Sequence, residues 1–456
     1  MSTLRVLAEA TPTTRRRHVD LLRAVAILLV MLGHWLLMHV ERTPAGLTGE
    51  TALPELTDLH WLTWVFQVMP VFFLVGGVSN AISWTRHRAR GGGAGDWLLG
   101  RSSRVFTPLS LLLVLMAVSA FAARLLGVSD YDIAQAVSAV VLPLWFLVVY
   151  FAVVLLTPAM FRLHQRFGLW VLAVALAGVV LGDVLRFATG IEYTAAANFA
   201  FAWLGIHQVG FAWFDGSLRL TVRRAWALVA GAFAALVLLT TAGPYPVSIV
   251  SVPGAEIQNS SPPSLVLVAL AAVQVGLVVL VSGPAERWLR RPWAWAAVVG
   301  VNTVVMTLYL WHMVAGFFGA VALDALGLLP TAEPGTAAWW WGRVPWIGTL
   351  VLVMAVVIAL VGRVETRGLS RRLGGARPVP APADRTQPAT DRTQPTTSRS
   401  ASLPLVAGTY LAAILGMYWQ ASAGRGPHGP FTVPTGALVL VLGAATLLWV
   451  LRRQSR

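Results

Sequence analysis

The sequence predicts an all-α, polytopic integral membrane bundle, a ten-helix body followed by a C-terminal two-helix hairpin. Three observations carry that expectation. Of the 456 residues, 57% are hydrophobic and only 12% charged, and the mean hydropathy of +0.71 lies far outside the range of soluble domains. Apolar runs of about 20 residues, the length that crosses a ~30 Å hydrocarbon core, recur along the chain. The segments between them alternate between arginine-rich and acidic or neutral, as in a chain that threads back and forth through a bilayer.

The first run, 19–40, follows Arg15 to Arg17 and ends in HWLLMH. It lacks a small-residue cleavage site, so it is expected to stay as a helix rather than be removed as a signal peptide. The runs at 61–84 and 105–126 flank RHRARGGGAGDWLLGRSSR, those at 133–157 and 167–187 flank FRLHQRFG, and those at 196–214 and 224–243 flank DGSLRLTVRR. Next come 264–283 and 297–323 around ERWLRRP, then 340–362, which leads into a basic segment from Arg363. Glu41, Glu50, Glu55 and Asp58, then Asp130 and Asp132, then Asp324 and Glu333, mark the intervening connections. By the positive-inside rule both termini are cytoplasmic and the membrane is the plasma membrane. The Trp339 to Trp341 triplet reads as an interfacial belt.

Residues 366–403 contain RPVPAPADRTQPATDRTQPTTSRS, too rich in Pro, Thr and Arg to bury a core, and read as a disordered cytoplasmic linker. They separate a membrane body at 1–365 from a hairpin at 404–456 with runs at 404–421 and 434–451. Few polar residues interrupt the hairpin, so its expected role is structural.

The net charge of +15 would suit a nucleic-acid partner. The arginines sit in short clusters between apolar runs, however, and topology accounts for them. With no cysteine, the chain has no disulfide, thiolate nucleophile or cysteine metal site. No His, Asp and Glu set has ligand spacing, so neither a metal nor a cofactor is expected.

Within the first run stand Asp20, Arg23 and His34, and ionisable groups in hydrocarbon are costly and functional by default. Eleven positions at ~100° each bring Arg23 and His34 to one helix face, separated by ~16 Å of rise. Asp20, three residues before Arg23, is placed to pair with it. Gln67, Asn80, His207, Gln208, Asn302 and Thr303 are further intramembrane polar groups, either cavity-lining or bonded between helices. His312 falls at a depth similar to that of His34.

DLLRAVAILLVMLGH, with its Arg-to-His spacing, resembles the first-helix signature of the family-3 membrane acyltransferases. FFLVGG at 72–77, LPLWFL at 142–147 and MTLYLWH at 306–312 resemble later motifs of that family in the right order. Gly76 stands where the family usually has Ser, and Val148, Val149 and Tyr150 where an acidic residue often follows L-W-[FY]-L. The resemblance implies an O-acyltransferase acting on hydroxyls of glycans, lipids or macrolides, with acyl-CoA as donor substrate. Histidine's pKa of about 6.5 suits His34 as the catalytic base. Arg23 with Asp20, and Arg101 and Arg104 of RSSR, would hold the donor's phosphates. Trp145, Asn80, Tyr309 and His312 are the cavity candidates, and a channel along the first helix would carry the acyl arm from Arg23 to His34. A secondary transporter of a small anion or sugar is the alternative, but transporters commonly show matching halves, and Arg23 and His34 have no counterpart in the second half.

Overall fold

The structure, a computed structural model, describes residues 11, 15–44, 46–374, 401–424, 429 and 431–455, with the side chains of 363–374 left aside. The chain is an all-α polytopic membrane protein. Among the described residues, ten helices are long and apolar enough to cross a membrane. The elements are α1 (Arg17–Leu37), β1 (Met38–Thr43), β2 (Gly46–Thr51), a 3-10 turn (Thr57–Leu62), α2 (Thr63–Phe66), α3 (Met69–Ala89), α4 (Ala94–Leu125), α5 (Asp130–Val141), α6 (Leu144–Phe167), α7 (Trp170–Thr189) and a second 3-10 turn (Glu192–Ala195). They continue with α8 (Asn198–Phe214), α9 (Val222–Thr241), α10 (Leu265–Trp288), α11 (Pro292–Thr303), α12 (Val305–Ala325), α13 (Ala337–Gly374), α14 (Leu403–Ser422) and α15 (Thr435–Gln454).

All twelve expected runs are helical, but two do not qualify as spans by length and composition. Helix α8 has only 17 residues. In α14, Pro404, Thr409, Tyr410 and Gln420 dilute the apolar content. Most of the expected linker, 375–400, lies outside the described residues, and α13 continues to Gly374.

The run at 61–84 is interrupted at Gln67–Val68, between α2 and α3, and three further departures from simple spanning helices shape the interior. The first run stops at Leu37 rather than at residue 40, because the chain turns into an antiparallel hairpin pairing Val40 with Gly49. Arg42 bridges from this hairpin to Asp324, and Thr48 bonds Tyr131 at 2.7 Å. The run at 133–157 breaks at Leu142–Pro143, where Pro143 has no N–H to donate to the turn before it. The run at 297–323 breaks at Val304, where Asn302 and Thr303 send their side chains back to the carbonyls of Val298 and Val299 at 2.9 and 2.7 Å. Both breaks abut motifs noted in the sequence: LPLWFL spans the first, and MTLYLWH follows the second on α12.

Helix α12 is the most enclosed candidate span, 67% buried, and α9 the most peripheral at 11%. Helix α1 packs between α3, α11 and α12, with Val25 and Leu28 exposed on its outer side. Helices α3 and α8 cross closely at Gly77 and Gly210, where a side chain on Gly77 would lie 2.9 Å from the Gly210 Cα. Such small-residue crossings let backbones approach where lipid offers no hydrophobic drive between helices. The C-terminal pair lies against the body, α14 on α6 and α15 on α4. Its anchor is Tyr410, buried, donating to the Leu98 carbonyl at 2.9 Å and packed edge-on to Phe151 with ring centroids 5.6 Å apart.

Candidate active site

Two polar constellations occupy the bundle at different depths. The first lines a cavity of about 1290 Å³ at the arginine-rich end. Among the described residues, Arg15, Arg16, Arg23, Arg86, Arg101, Arg104 and Arg452 contribute to its wall, against a single carboxylate, Asp20. Asp20 is 6% exposed and accepts from Arg15 Nε at 2.6 Å and from Arg23 Nη1 at 3.3 Å. Its hydrogen bond to Arg15 holds that guanidinium above its usual pKa. Arg23 also donates to Ser79 Oγ on α3 at 2.8 Å, so the expected Asp20–Arg23 pair forms and is tied to the neighbouring helix. Asn302 donates to the Asp20 carbonyl at 2.9 Å, which fixes the break before α12 to the start of α1.

Arg101 is held against the wall by Asn80 Oδ1 and by Ser83 Oγ at 3.1 Å, with its guanidinium over Trp97. Asn80 passes the network on to His207 Nε2 at 3.0 Å and Thr157 Oγ1 at 3.3 Å. Arg104, one turn on, is exposed on the same cavity. Gly76 also lines it, and the nearest atom to a side chain there would be His207 Cδ2 at 3.8 Å. Towards the interior the lining becomes apolar: Ile27, Phe72, Phe73, Phe146 and Tyr309.

The second constellation is a pair of histidines. His34 Nδ1 lies 2.9 Å from His312 Nε2, and the rings stack with centroids 5.0 Å apart. His312 is fully buried and its Nδ1 lies 2.7 Å from the Tyr309 carbonyl, whereas His34 is only half-buried. A carbonyl oxygen only accepts, so His312 carries its proton on Nδ1. With both imidazoles neutral, its Nε2 is then the acceptor, the proton between the rings belongs to His34 Nδ1, and His34 Nε2 is left with a lone pair. Trp35 Nε1 donates to the His312 carbonyl at 2.9 Å, and Trp346 Nε1 to the Trp35 carbonyl at 2.8 Å. Helices α1, α12 and α13 are thereby locked around the pair.

Tyr309 joins the two constellations. Its ring lines the cavity, its hydroxyl donates to the Pro143 carbonyl at the α5–α6 break, and its centroid stands 6.3 Å from that of His312. Of the residues along the expected channel, Arg23 and Ile27 border the cavity. Phe72, Phe146 and Tyr309, from α3, α6 and α12, pack together on the wall, with ring centroids 5.7 Å apart for Phe72–Phe146 and 5.4 Å for Phe146–Tyr309. Of the cavity candidates, Asn80 and Tyr309 line this cavity, His312 belongs to the histidine pair, and Trp145 packs edge-on to Phe146 with ring centroids 6.3 Å apart. Ser79, Ser83, Tyr150, Trp449 and Arg452 are wall residues that sequence reading missed. Serines in apolar helices carry no signal of what they face.

A multi-span membrane bundle with an arginine-lined cavity leading towards a tautomer-ordered histidine pair is the class that fold and site define. A family model described as acyltransferase domain, family 3, matches residues 16–363, and the chain belongs to that family. It is accordingly a membrane acyltransferase. The chain matched no curated protein and no solved structure.

Proposed function

We propose that this acyltransferase moves an acyl group from cytoplasmic acyl-CoA to a hydroxyl of a glycan, glycolipid or similar acceptor, with His34 as general base. The observation that carries the reading is the ordered chain from the Tyr309 carbonyl through His312 to His34, which leaves His34 Nε2 as a proton acceptor. By the positive-inside rule the arginine-rich end faces the cytoplasm of the plasma membrane, where the donor is confined, and both termini lie there. Among the described residues, seven arginines against one carboxylate on the cavity wall suit a polyanion.

In the proposed reaction His34 Nε2 takes the acceptor's hydroxyl proton as its oxygen attacks the thioester carbonyl. The tetrahedral adduct collapses with cleavage of the C–S bond, and the imidazolium returns the proton to the departing thiolate. While His34 is charged, its Nδ1–H bond to neutral His312 becomes charge-assisted and stronger. The acyl arm covers the ~16 Å between the levels of Arg23 and His34 by passing the Phe72, Phe146 and Tyr309 rings, and the acceptor approaches His34 from the outer side.

The test is His34→Ala in purified protein. Release of thiol from acetyl-CoA in the presence of envelope glycolipid extract should fall 10²- to 10⁴-fold, roughly the worth of a general base, while acetyl-CoA affinity by calorimetry stays unchanged. Full activity in this variant would remove His34 from the mechanism.

A further inference from the structure

The family match ends at residue 363, yet the last helix of the chain reaches the cavity. Trp449 and Arg452 of α15 both line it. They are three residues apart and so share one face of the helix. This placement is built in. Helix α15 packs both on its partner α14, where Ala437 and Val441 meet Gly416, and on α4, the helix that carries Arg101 and Arg104. Tyr410 of the partner helix α14 is bonded to Leu98 of the same α4.

The two side chains differ in what they offer. Arg452 adds a guanidinium to a wall already rich in them. Trp449 adds a wide apolar ring, 51% exposed, with the Arg453 guanidinium 3.6 Å from its centroid. The other indole on this wall, Trp295, is buried, 3% exposed, and offers no comparable open face. An arginine beside a flat aromatic surface at the mouth of a cationic cavity fits a ligand that carries both phosphate and a heteroaromatic base.

We infer that the C-terminal helix completes the donor site as its nucleotide subsite, with Arg452 holding a phosphate and Trp449 stacking on the purine. This rests on the acyl-CoA reading above. The body alone would then hold the thioester arm, and the hairpin would supply the contacts that distinguish a coenzyme A thioester from a shorter one.

The experiment compares two probes on the purified full-length protein by calorimetry: acetyl-CoA and acetyl-pantetheine, which has the thioester arm but no nucleotide. Arg452→Gln should weaken acetyl-CoA binding about tenfold, the typical worth of a charge-assisted hydrogen bond. Trp449→Ala should weaken it about five- to a hundredfold, as for a lost base–aromatic stack, and both variants should leave acetyl-pantetheine binding unchanged. Arg452→Lys should restore part of the loss. Unchanged acetyl-CoA affinity in the Arg452→Gln/Trp449→Ala double variant would overturn the subsite, as would equal weakening of both probes, which would mean that the helix only props the bundle. Failure of the unmodified protein to bind either thioester would instead overturn the donor reading, and the subsite with it.

Discussion

Replacing His312 by Ala tests the ordering of the histidine pair. The side chain is fully buried and its Nε2 is the partner of His34 Nδ1 at 2.9 Å. A hydrogen bond between neutral groups contributes about 0.5–1.5 kcal/mol and one to a charged group about 1.5–3 kcal/mol. The bond therefore strengthens by roughly 1–2 kcal/mol as His34 becomes an imidazolium, which corresponds to about 5- to 30-fold in rate. Because the gain exists only when His34 is charged, the loss should appear in kcat and leave KM nearly unchanged. Removing His34 should cost more, and the double variant should be no slower than His34→Ala alone, since His312 acts only through His34. The assay is thiol release from acetyl-CoA, which suits a chain without cysteine because the protein does not consume the thiol reagent. Thermal midpoints should be measured in parallel, because truncating a buried side chain also lowers stability. Wild-type kcat in His312→Ala would refute the argument. So would multiplicative losses in the double variant, which would make the two residues independent.

At the α3–α8 crossing, Gly77→Val should destabilise the protein by about 1–3 kcal/mol, an overpacking cost with backbone rather than flexible side chain as the obstacle. Gly76→Ser, with its nearest neighbour 3.8 Å away, should fold normally, and thermal midpoints that rank the two alike would contradict the crossing geometry. At the end of α8, burial pushes the Asp215 carboxyl up, but hydrogen bonds from Ser217 and from His164 outweigh it and leave its pKa below the usual value. A carboxylate with a depressed folded-state pKa contributes stability above its unfolded pKa and loses it as pH falls through the folded value. Midpoints of the unmodified protein should therefore fall more steeply on acidification than those of Asp215→Asn, and parallel curves would show that these bonds are not linked to folding.

The recognition motifs were legible because each is local: Arg23, His34 and the MTLYLWH run are read from spacing on a single helix. The Asp20–Arg23 pair was legible for the same reason, three residues on one face. The His34–His312 contact was not, although both residues were noted and their depths matched. Equal depth leaves open which way two helices are turned, and only the packing of α1 against α12 turns the rings together. The motif around Trp145 did not say which of its members face the cavity; Phe146 and Leu147 line it. Arg101 was read as a phosphate ligand at a helix start, whereas its partners Asn80 and Ser83 belong to another helix.

By itself, the sequence determined the class of molecule. Transfer of about 20 apolar residues into hydrocarbon is a property of composition and length, and the arginine bias of alternate connections is read along the chain without any knowledge of packing. Tertiary structure alone decided where the helices break, that His34 and His312 meet, and that rings from α3, α6 and α12 pack together on the cavity wall. It also decided that a helix beyond the family's domain joins the cavity wall. Each of these depends on which helix faces share a neighbour. That is set by contacts between residues far apart in sequence, such as the 278 positions between His34 and His312, and no local pattern encodes it.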